Sequence, residues 1–354
     1  MKAVVYEGPR QVTVREVSDP TVETSHDAVV RVVRAAVCGT DLWWYRGLHP
    51  RPAGARMGHE FIGEVVAVGG DVRALREGDL VIAPFTVSDG GCAACRDGWT
   101  TSCVNGAAWA SGGLDGGQGE YVRVPHAETT LVPVAPRGEW PAADRWPSLL
   151  TLSDVLCTGH HAAVAADVRA GQTVAVVGDG AVGISAVLAA VRLGAARVLT
   201  LSTHAARQEL ALEAGATDVV AARGADAVEA VRERTDGRGA DAVLECVGSG
   251  TSLQSALEMV RDGGRIGYVG IPHDATIDLA GLFRRNVSIG GGMAPARSYI
   301  EELLPDVRDG VIDPGIVFDA SFTLEDAGDA YLAMDERRAV KSLLVVDATP
   351  AGAA

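Results

Sequence analysis

The stretch Val174-Ala175-Val176-Val177-Gly178-Asp179-Gly180-Ala181-Val182-Gly183 constrains the fold more than any other part of the chain. A short β-branched run reads as a buried strand, G-x-G-x-x-G follows it, and residues 181–193 then carry apolar side chains at helical spacing. In such a unit the glycines permit a tight turn, close backbone approach to a pyrophosphate, and close packing of helix on strand. The helix N-terminus adds free N–H groups and the positive end of a dipole. Gly178, Gly180, Val182 and Gly183 are therefore cofactor-binding candidates. Further strand-like runs at 197–202, 218–220, 241–248, 265–271 and 286–289 alternate with helix-like stretches such as 205–214 and 251–260. Six strands with intervening helices predict an α/β, doubly wound parallel sheet.

The rest of the chain has a different texture. Up to about residue 145, short β-branched runs (28–33, 63–68, 80–83, 121–124) are separated by Gly, Pro and Asp. Residues 137–147, rich in Pro, Trp and charge, mark a boundary, and 340–346 reads as a closing strand that completes the first domain. The expected organisation is a β-rich domain at 1–148, a dinucleotide-binding domain at 149–290, and a C-terminal segment at 291–354 returning to the first. The tail 351–354 is expected to fray. At 354 residues both cores can be substantial.

Charge and composition narrow the function. A net charge of −15 disfavours nucleic acid, whose phosphates need clustered Lys and Arg. No apolar run approaches the roughly 20 residues of a membrane span. The N-terminus enters a strand-like alternation with no leader pattern, so a cytoplasmic location without membrane partners is expected. Six cysteines are too few for a disulfide scaffold, and Cys92, Cys95 and Cys103 crowd together in a way that favours metal.

Two short motifs carry the metal chemistry: Cys38-Gly39-Thr40-Asp41 and Gly58-His59-Glu60. A thiolate and an imidazole suit zinc, and catalytic zinc needs three protein ligands and one open position. The pair by itself is also compatible with a packed cysteine and a turn histidine. A third ligand must come from elsewhere, and Ser153-Asp154-Val155-Leu156-Cys157-Thr158-Gly159 offers two.

Taken together, these motifs, the glycine loop and the cysteine cluster resemble the zinc-dependent medium-chain dehydrogenase/reductase family along essentially the whole chain. The resemblance implies a GroES-like β-rich catalytic domain beside a Rossmann domain, and hydride transfer between an alcohol, aldehyde or ketone and NADP or NAD. It implies Cys38, His59 and Asp154 as catalytic zinc ligands, the aspartate standing where many relatives have cysteine, as in the formaldehyde dehydrogenases that the Ser-Asp-Val-Leu wording is similar to. Cys157 comes three residues late and reads as a packed thiol. Glu60 is either an exchangeable ligand or a pocket-wall carboxylate, and Asp41 is the acid that orients His59. Thr40 matches the hydroxyl that begins the family's proton relay. Where a histidine often ends that relay stands Trp43, so water or His49 would have to complete it. Trp43, Trp44, Phe85 and Trp109 are pocket candidates, which points to a hydrophobic or aromatic substrate more than a polyol.

The same resemblance assigns a structural zinc to Asp89, Cys92, Cys95 and Cys103, with aspartate in place of the first of four cysteines; the alternative is an empty lobe. On the nucleotide side it matches Thr158 to a residue packing on the nicotinamide, and Val247, Gly248, Val269, Gly270 and Ile271 lie at strand ends, where open parallel sheets bind ligands. Arg338 or Lys341 is a candidate for the pyrophosphate, with plain surface charge as the alternative. The acidic residue that normally receives the adenosine ribose is replaced by Ser202, followed by Thr203, His204 and Arg207. With no carboxylate there, Arg207 and His204 favour NADP over NAD. A homodimer or homotetramer is what the family implies. A zinc-independent quinone or enoyl reductase on the same scaffold, and a non-catalytic nucleotide binder, are the alternatives, which the full ligand set disfavours.

Overall fold

Among the described residues, nine short strands precede the strand that leads into the glycine loop: β1 (Lys2–Gly8), β2 (Gln11–Glu16), β3 (Ala28–Ala36), β4 (Glu60–Val68), β5 (Leu80–Ala83), β6 (Thr86–Val87), β7 (Ala107–Ala108), β8 (Tyr121–Val124) and β9 (Val132–Pro133). β3 and β5 are buried at nearly every position, and the core of this unit gathers Val30, Val32, Phe61, Val65 and Tyr331. The structure, a computed structural model, describes residues 1–347 apart from 112 and 137. The tail 351–354, and Arg137 at the start of the expected boundary, lie outside the described residues.

The glycine loop follows β10 (Thr173–Val177), and β11 (Arg197–Leu201), β12 (Asp218–Val220), β13 (Ala240–Glu245), β14 (Val260–Tyr268) and β15 (Ser288–Gly291) come after it. Among the described residues these form one parallel sheet in the order β12-β11-β10-β13-β14-β15. The order reverses beside β10, the position at which doubly wound sheets bind a ligand. Helices Val155–Ala165, Ala181–Arg192, Ala205–Glu213, Gly224–Glu233, Gly250–Met259 and Leu279–Arg285 accompany the sheet. Here β14 begins at Val260, five residues before the expected strand, and its register against β13 shifts between Ala240 and Ala242.

The chain then returns to the first unit through β16 (Ala320–Thr323) and β17 (Ser342–Val345). β17 pairs antiparallel with β3, so the closing strand expected at 340–346 is a real member of that sheet. Met1–Asp154 with the chain from Pro295 onward forms one compact unit, and Val155–Ala294 the other. The division falls at Asp154 rather than after residue 148, because the helix Trp146–Thr151 is buried against the first unit: Ser148 Oγ donates to Asp313 and accepts from Gly315 N–H. No helix among the described residues is long and apolar enough to cross a membrane.

Candidate functional site

Register brings the first two ligand candidates together. Ala36 of β3 pairs with Glu60 of β4, so Cys38, just past the end of β3, and His59, just before β4, emerge at the same end of one strand pair. Between them the turn is closed by Asp41 N–H on Cys38 O at 3.1 Å and Cys38 N–H on Asp41 Oδ2 at 3.0 Å. Asp154 arrives from a separate segment. It follows the helix Trp146–Thr151, and Phe85 N–H donates to Ser153 O at 3.0 Å, anchoring that segment near the end of β5.

Cys38, His59, Glu60 and Asp154 present ligand atoms that all lie within 4.8 Å of one another. Asp154 Oδ2 is 3.5 Å from Cys38 Sγ and 3.4 Å from His59 Nε2. Ligands bound at zinc–ligand lengths of about 2.0–2.3 Å to a tetrahedral ion sit roughly 3.3–3.8 Å apart, so these spacings fit the ion. The other histidine nitrogen, Nδ1, is 3.2 Å from Asp41 Oδ1, which leaves Nε2 aimed at Asp154. Glu60 is fully buried; its Oε2 has no hydrogen-bond partner, while Oε1 accepts from Lys341 Nζ at 2.7 Å. A buried carboxylate oxygen left open beside a thiol, an imidazole and a second carboxylate is what a divalent cation would satisfy.

Electrostatics say the same. Burial, then the neighbouring Asp154 carboxylate, pushes the Cys38 thiol up. Burial opposes charge on His59, yet Asp41 and Cys38 outweigh it and hold the imidazole well above its ordinary value. Burial raises Glu60 against the pull of Lys341. Cys38, His59 and Glu60 thus hold protons tightly even with Lys341 beside Glu60, and a bound cation would displace them.

Several supports of this site escaped the sequence reading. Gln118, fully buried, donates to Ala36 O at 2.8 Å, lies 3.5 Å from Asp41 Oδ2, and accepts from Tyr331 Oη at 2.8 Å. Gly58 has φ +92°, and a Cβ there would fall 2.3 Å from Gln118 Cγ, so only glycine lets Gln118 reach Asp41. In the sequence, Gln118 is marked only by its setting in the run Gly116-Gly117-Gln118-Gly119. Lys341 is a correction: it is buried at the head of β17 against Glu60 and Val37 O, and so is not a surface cation waiting for a pyrophosphate. Arg338, the alternative, pairs with Glu336 at 2.7 Å. Replacing Lys341 by Met is expected to destabilise the fold by about 3–5 kcal/mol, because it strands a buried carboxylate. Chemical denaturation checks this, and Glu60→Gln in the same chain should recover much of the loss; no recovery would mean Lys341 acts by packing alone.

Two pocket candidates need correcting. Trp109 is buried in the core, edge-on to Phe61 with Nε1 donating to Pro84 O at 2.7 Å, and Trp44 packs on the same core under the Arg51 guanidinium. Trp43 and Phe85 are half-buried, and Trp43 stacks on His49 at 5.2 Å. Thr40, half-buried, is the residue before the helix Asp41–Tyr45.

Asp89, Cys92, Cys95 and Cys103 also present ligand atoms within 4.8 Å of one another. Cys92 Sγ accepts from Cys95 N–H at 3.5 Å, a bond that holds this thiol below its ordinary value, and Cys103 Sγ accepts from Asp89 N–H at 3.3 Å. Asp89 accepts from Gly91 N–H, Cys92 N–H and Asn105, which hold its carboxyl far below the usual range and leave lone pairs for a metal. Desolvation and the adjoining thiols of Cys92 and Cys103 push Cys95 up to about 12, so without a metal this thiol keeps its proton.

In the second unit the glycine loop fits a dinucleotide. Gly178 has φ +127°, a Cβ on Gly183 would lie 2.0 Å from Gly178 O, and a Cβ on Gly180 would meet nothing within 4 Å. The loop is thus closed against its own helix and open on the other side. Thr158 is half-buried on the first turn of the helix Val155–Ala165, and Cys157 beside it is buried. Val247 N–H and Gly248 N–H both donate to the buried Glu245 at 2.9 and 2.8 Å, and Val269 N–H donates to Glu245 O. Val247 and Ile271 remain exposed, apolar surface at the carboxyl end of the sheet.

The adenosine end departs from expectation. Ser202 ends β11 buried, with Thr203 and His204 exposed after it, but a carboxylate is present after all. Asp179, inside the glycine loop, accepts from Ser202 Oγ at 2.8 Å and pairs with Arg207 Nη1 at 3.1 Å. The expectation of NADP rested on there being no carboxylate at this end, and Asp179 supplies one. Arg223, 3.3 Å from His204 Nε2, is a further cation there that sequence spacing did not reveal.

Residues 24–135 match the alcohol dehydrogenase GroES-like domain and residues 181–308 the zinc-binding dehydrogenase family. Zinc-type alcohol dehydrogenase B of Aspergillus flavus is 34% identical over 94% of this chain and 78% of its own length. The glutathione-independent formaldehyde dehydrogenase of Pseudomonas aeruginosa is 32% identical over 94% of each chain. Among solved structures, the alcohol dehydrogenase of Thermus sp. ATN1 superposes with a TM-score of 0.91 at 35% identity, covering 98% of this chain and all of that one.

Proposed function

This chain belongs to the zinc-dependent medium-chain alcohol dehydrogenase family, and from that premise we propose that Cys38, His59 and Asp154 hold the catalytic zinc of an NAD(P)-dependent alcohol dehydrogenase. The observation that carries the assignment is the convergence of four ligand atoms within 4.8 Å, with an unpartnered Glu60 oxygen among them. When bound, zinc supplies a Lewis acid for the oxygen of a small alcohol, aldehyde or ketone. The nicotinamide dinucleotide supplies the hydride acceptor or donor.

The chain's own residues do the rest. Asp41, pinned by Cys38 N–H and adjoined by Gln118, fixes the His59 ring so that Nε2 is the free nitrogen. Lys341 holds one Glu60 oxygen back, which makes Glu60 a reserve ligand rather than a permanent one. Thr40 is the first proton acceptor for the substrate hydroxyl. The stacked Trp43–His49 pair lies one helical turn further on, so the proton leaves through solvent or His49. Trp43 and Phe85 line the apolar side of the substrate space. Asp89, Cys92, Cys95 and Cys103 hold a second zinc whose role is structural.

The purified chain is expected to contain about two zinc ions, one per site type, and to reduce a nicotinamide dinucleotide when offered a panel of primary, secondary and aromatic alcohols. Elemental analysis and absorbance at the reduced nicotinamide band read both. Turnover by a zinc-free chain would favour the zinc-independent reductase reading instead.

A further inference from the structure

We propose that Asp179 is the residue that decides between the two nicotinamide dinucleotides, a proposal that rests on the glycine loop's binding one of them. Its carboxylate occupies both groups that a 2′-phosphate would need. Oδ2 takes the Ser202 hydroxyl at 2.8 Å and Oδ1 takes Arg207 Nη1 at 3.1 Å. Side-chain exposures of 17% for Arg207 and 15% for Asp179 mean that water screens this pair poorly, so it outlasts an ordinary surface bridge.

Ser202 is itself fixed: it is buried, its carbonyl accepts from Gln208 Nε2 at 2.8 Å, and its hydroxyl oxygen accepts from His204 N–H at 3.3 Å. The negative charge therefore stands at the end of β11, where an acid usually meets the ribose. It is delivered from the first loop instead of from the second strand. A ribose 2′-hydroxyl can donate to that carboxylate. A 2′-phosphate would meet its charge and would have to compete with it for Arg207. With Asp179 neutral, Arg207 is released to pair with a 2′-phosphate, on the same helix turn as His204, whose Nε2 lies 3.3 Å from Arg223.

The test is equilibrium titration of the full-length, zinc-loaded chain with NADH and NADPH, followed by nicotinamide fluorescence. Wild type is expected to bind NADH more tightly. Asp179→Asn, which keeps the shape and removes the charge, is expected to move the NADPH-to-NADH affinity ratio at least about tenfold toward NADPH. Adding Arg207→Ala should abolish that gain. Asp179→Ser, which still offers Ser202 a hydrogen-bond partner, serves if the amide variant does not fold. An unchanged ratio in both Asp179 variants, a gain that survives Arg207→Ala, or a wild type that already prefers NADPH overturns the proposal. Binding of neither dinucleotide by wild type overturns the loop's dinucleotide role itself, a separate result.

Discussion

Replacing Asp154 by alanine is expected to lower kcat/KM at least about a thousandfold and to remove one zinc ion per chain, because about 4 kcal/mol of barrier corresponds to that factor. Asp154 Oδ2 is the atom that approaches both Cys38 and His59, so its loss leaves a thiol and an imidazole with no third partner on that side. Glu60 offers only its open Oε2, since Lys341 holds Oε1 in a buried ion pair, so it is expected to replace Asp154 only in part. Asp154→Cys restores an anionic ligand and is expected to keep the zinc with an altered rate. Cys157→Ala is the contrast: that thiol is buried on the helix Val155–Ala165, outside the cluster, and both zinc content and rate should survive. Metal analysis with initial rates on the three variants decides the matter. Loss of zinc in Cys157→Ala with retention in Asp154→Ala would invert the ligand assignment.

Cys95→Ser is expected to act on stability instead of chemistry. The lobe it belongs to has little apolar burial to hold it. Its helix, Ala93–Arg96, has no buried residue, the 3-10 turn Thr100–Ser102 buries only Thr100, and β6 and β7 are two residues each. Trp99 is half exposed. Where packing is this thin, metal coordination supplies the folding energy. Losing roughly 5 kcal/mol of it in a domain of this size, at about 2–4 °C per kcal/mol, predicts a Tm drop of about 10–20 °C with one zinc fewer. Initial rates measured well below that Tm should stay near wild type, which separates this site from the Asp154 site. A variant that melts at the wild-type temperature despite the lost metal would mean that the lobe folds without it. Ser298 donating to Gly98 O at 2.8 Å would then be among the contacts that hold it.

Much of the site was readable because its residues are tied to local backbone rules. Gly183 must be glycine where helix meets loop, and Cys38 and His59 sit at strand ends whose β-branched runs mark them. What was not readable depended on partners distant in sequence. Gln118 reaches Asp41 across 77 positions and Lys341 reaches Glu60 across 281; a glutamine and a lysine carry no periodic signal that names such partners. The aromatic residues failed for a related reason. Trp44 and Trp109 look like Trp43 and Phe85 in a sequence, and only packing separates core from pocket.

By itself the sequence determined the parallel sheet built on the glycine loop, the β-rich unit that the last strand closes, and the residue types able to hold two metals. Short-range periodicity and steric rules are enough for those. The resemblance already implied Asp154 beside Cys38 and His59, whereas tertiary structure alone decided that Lys341 is locked against Glu60 and that Asp179 faces Arg207 at the end of β11. Each is a charge whose meaning depends on which opposite charge lies within about 4 Å in a poorly screened space, and chain order does not encode that distance.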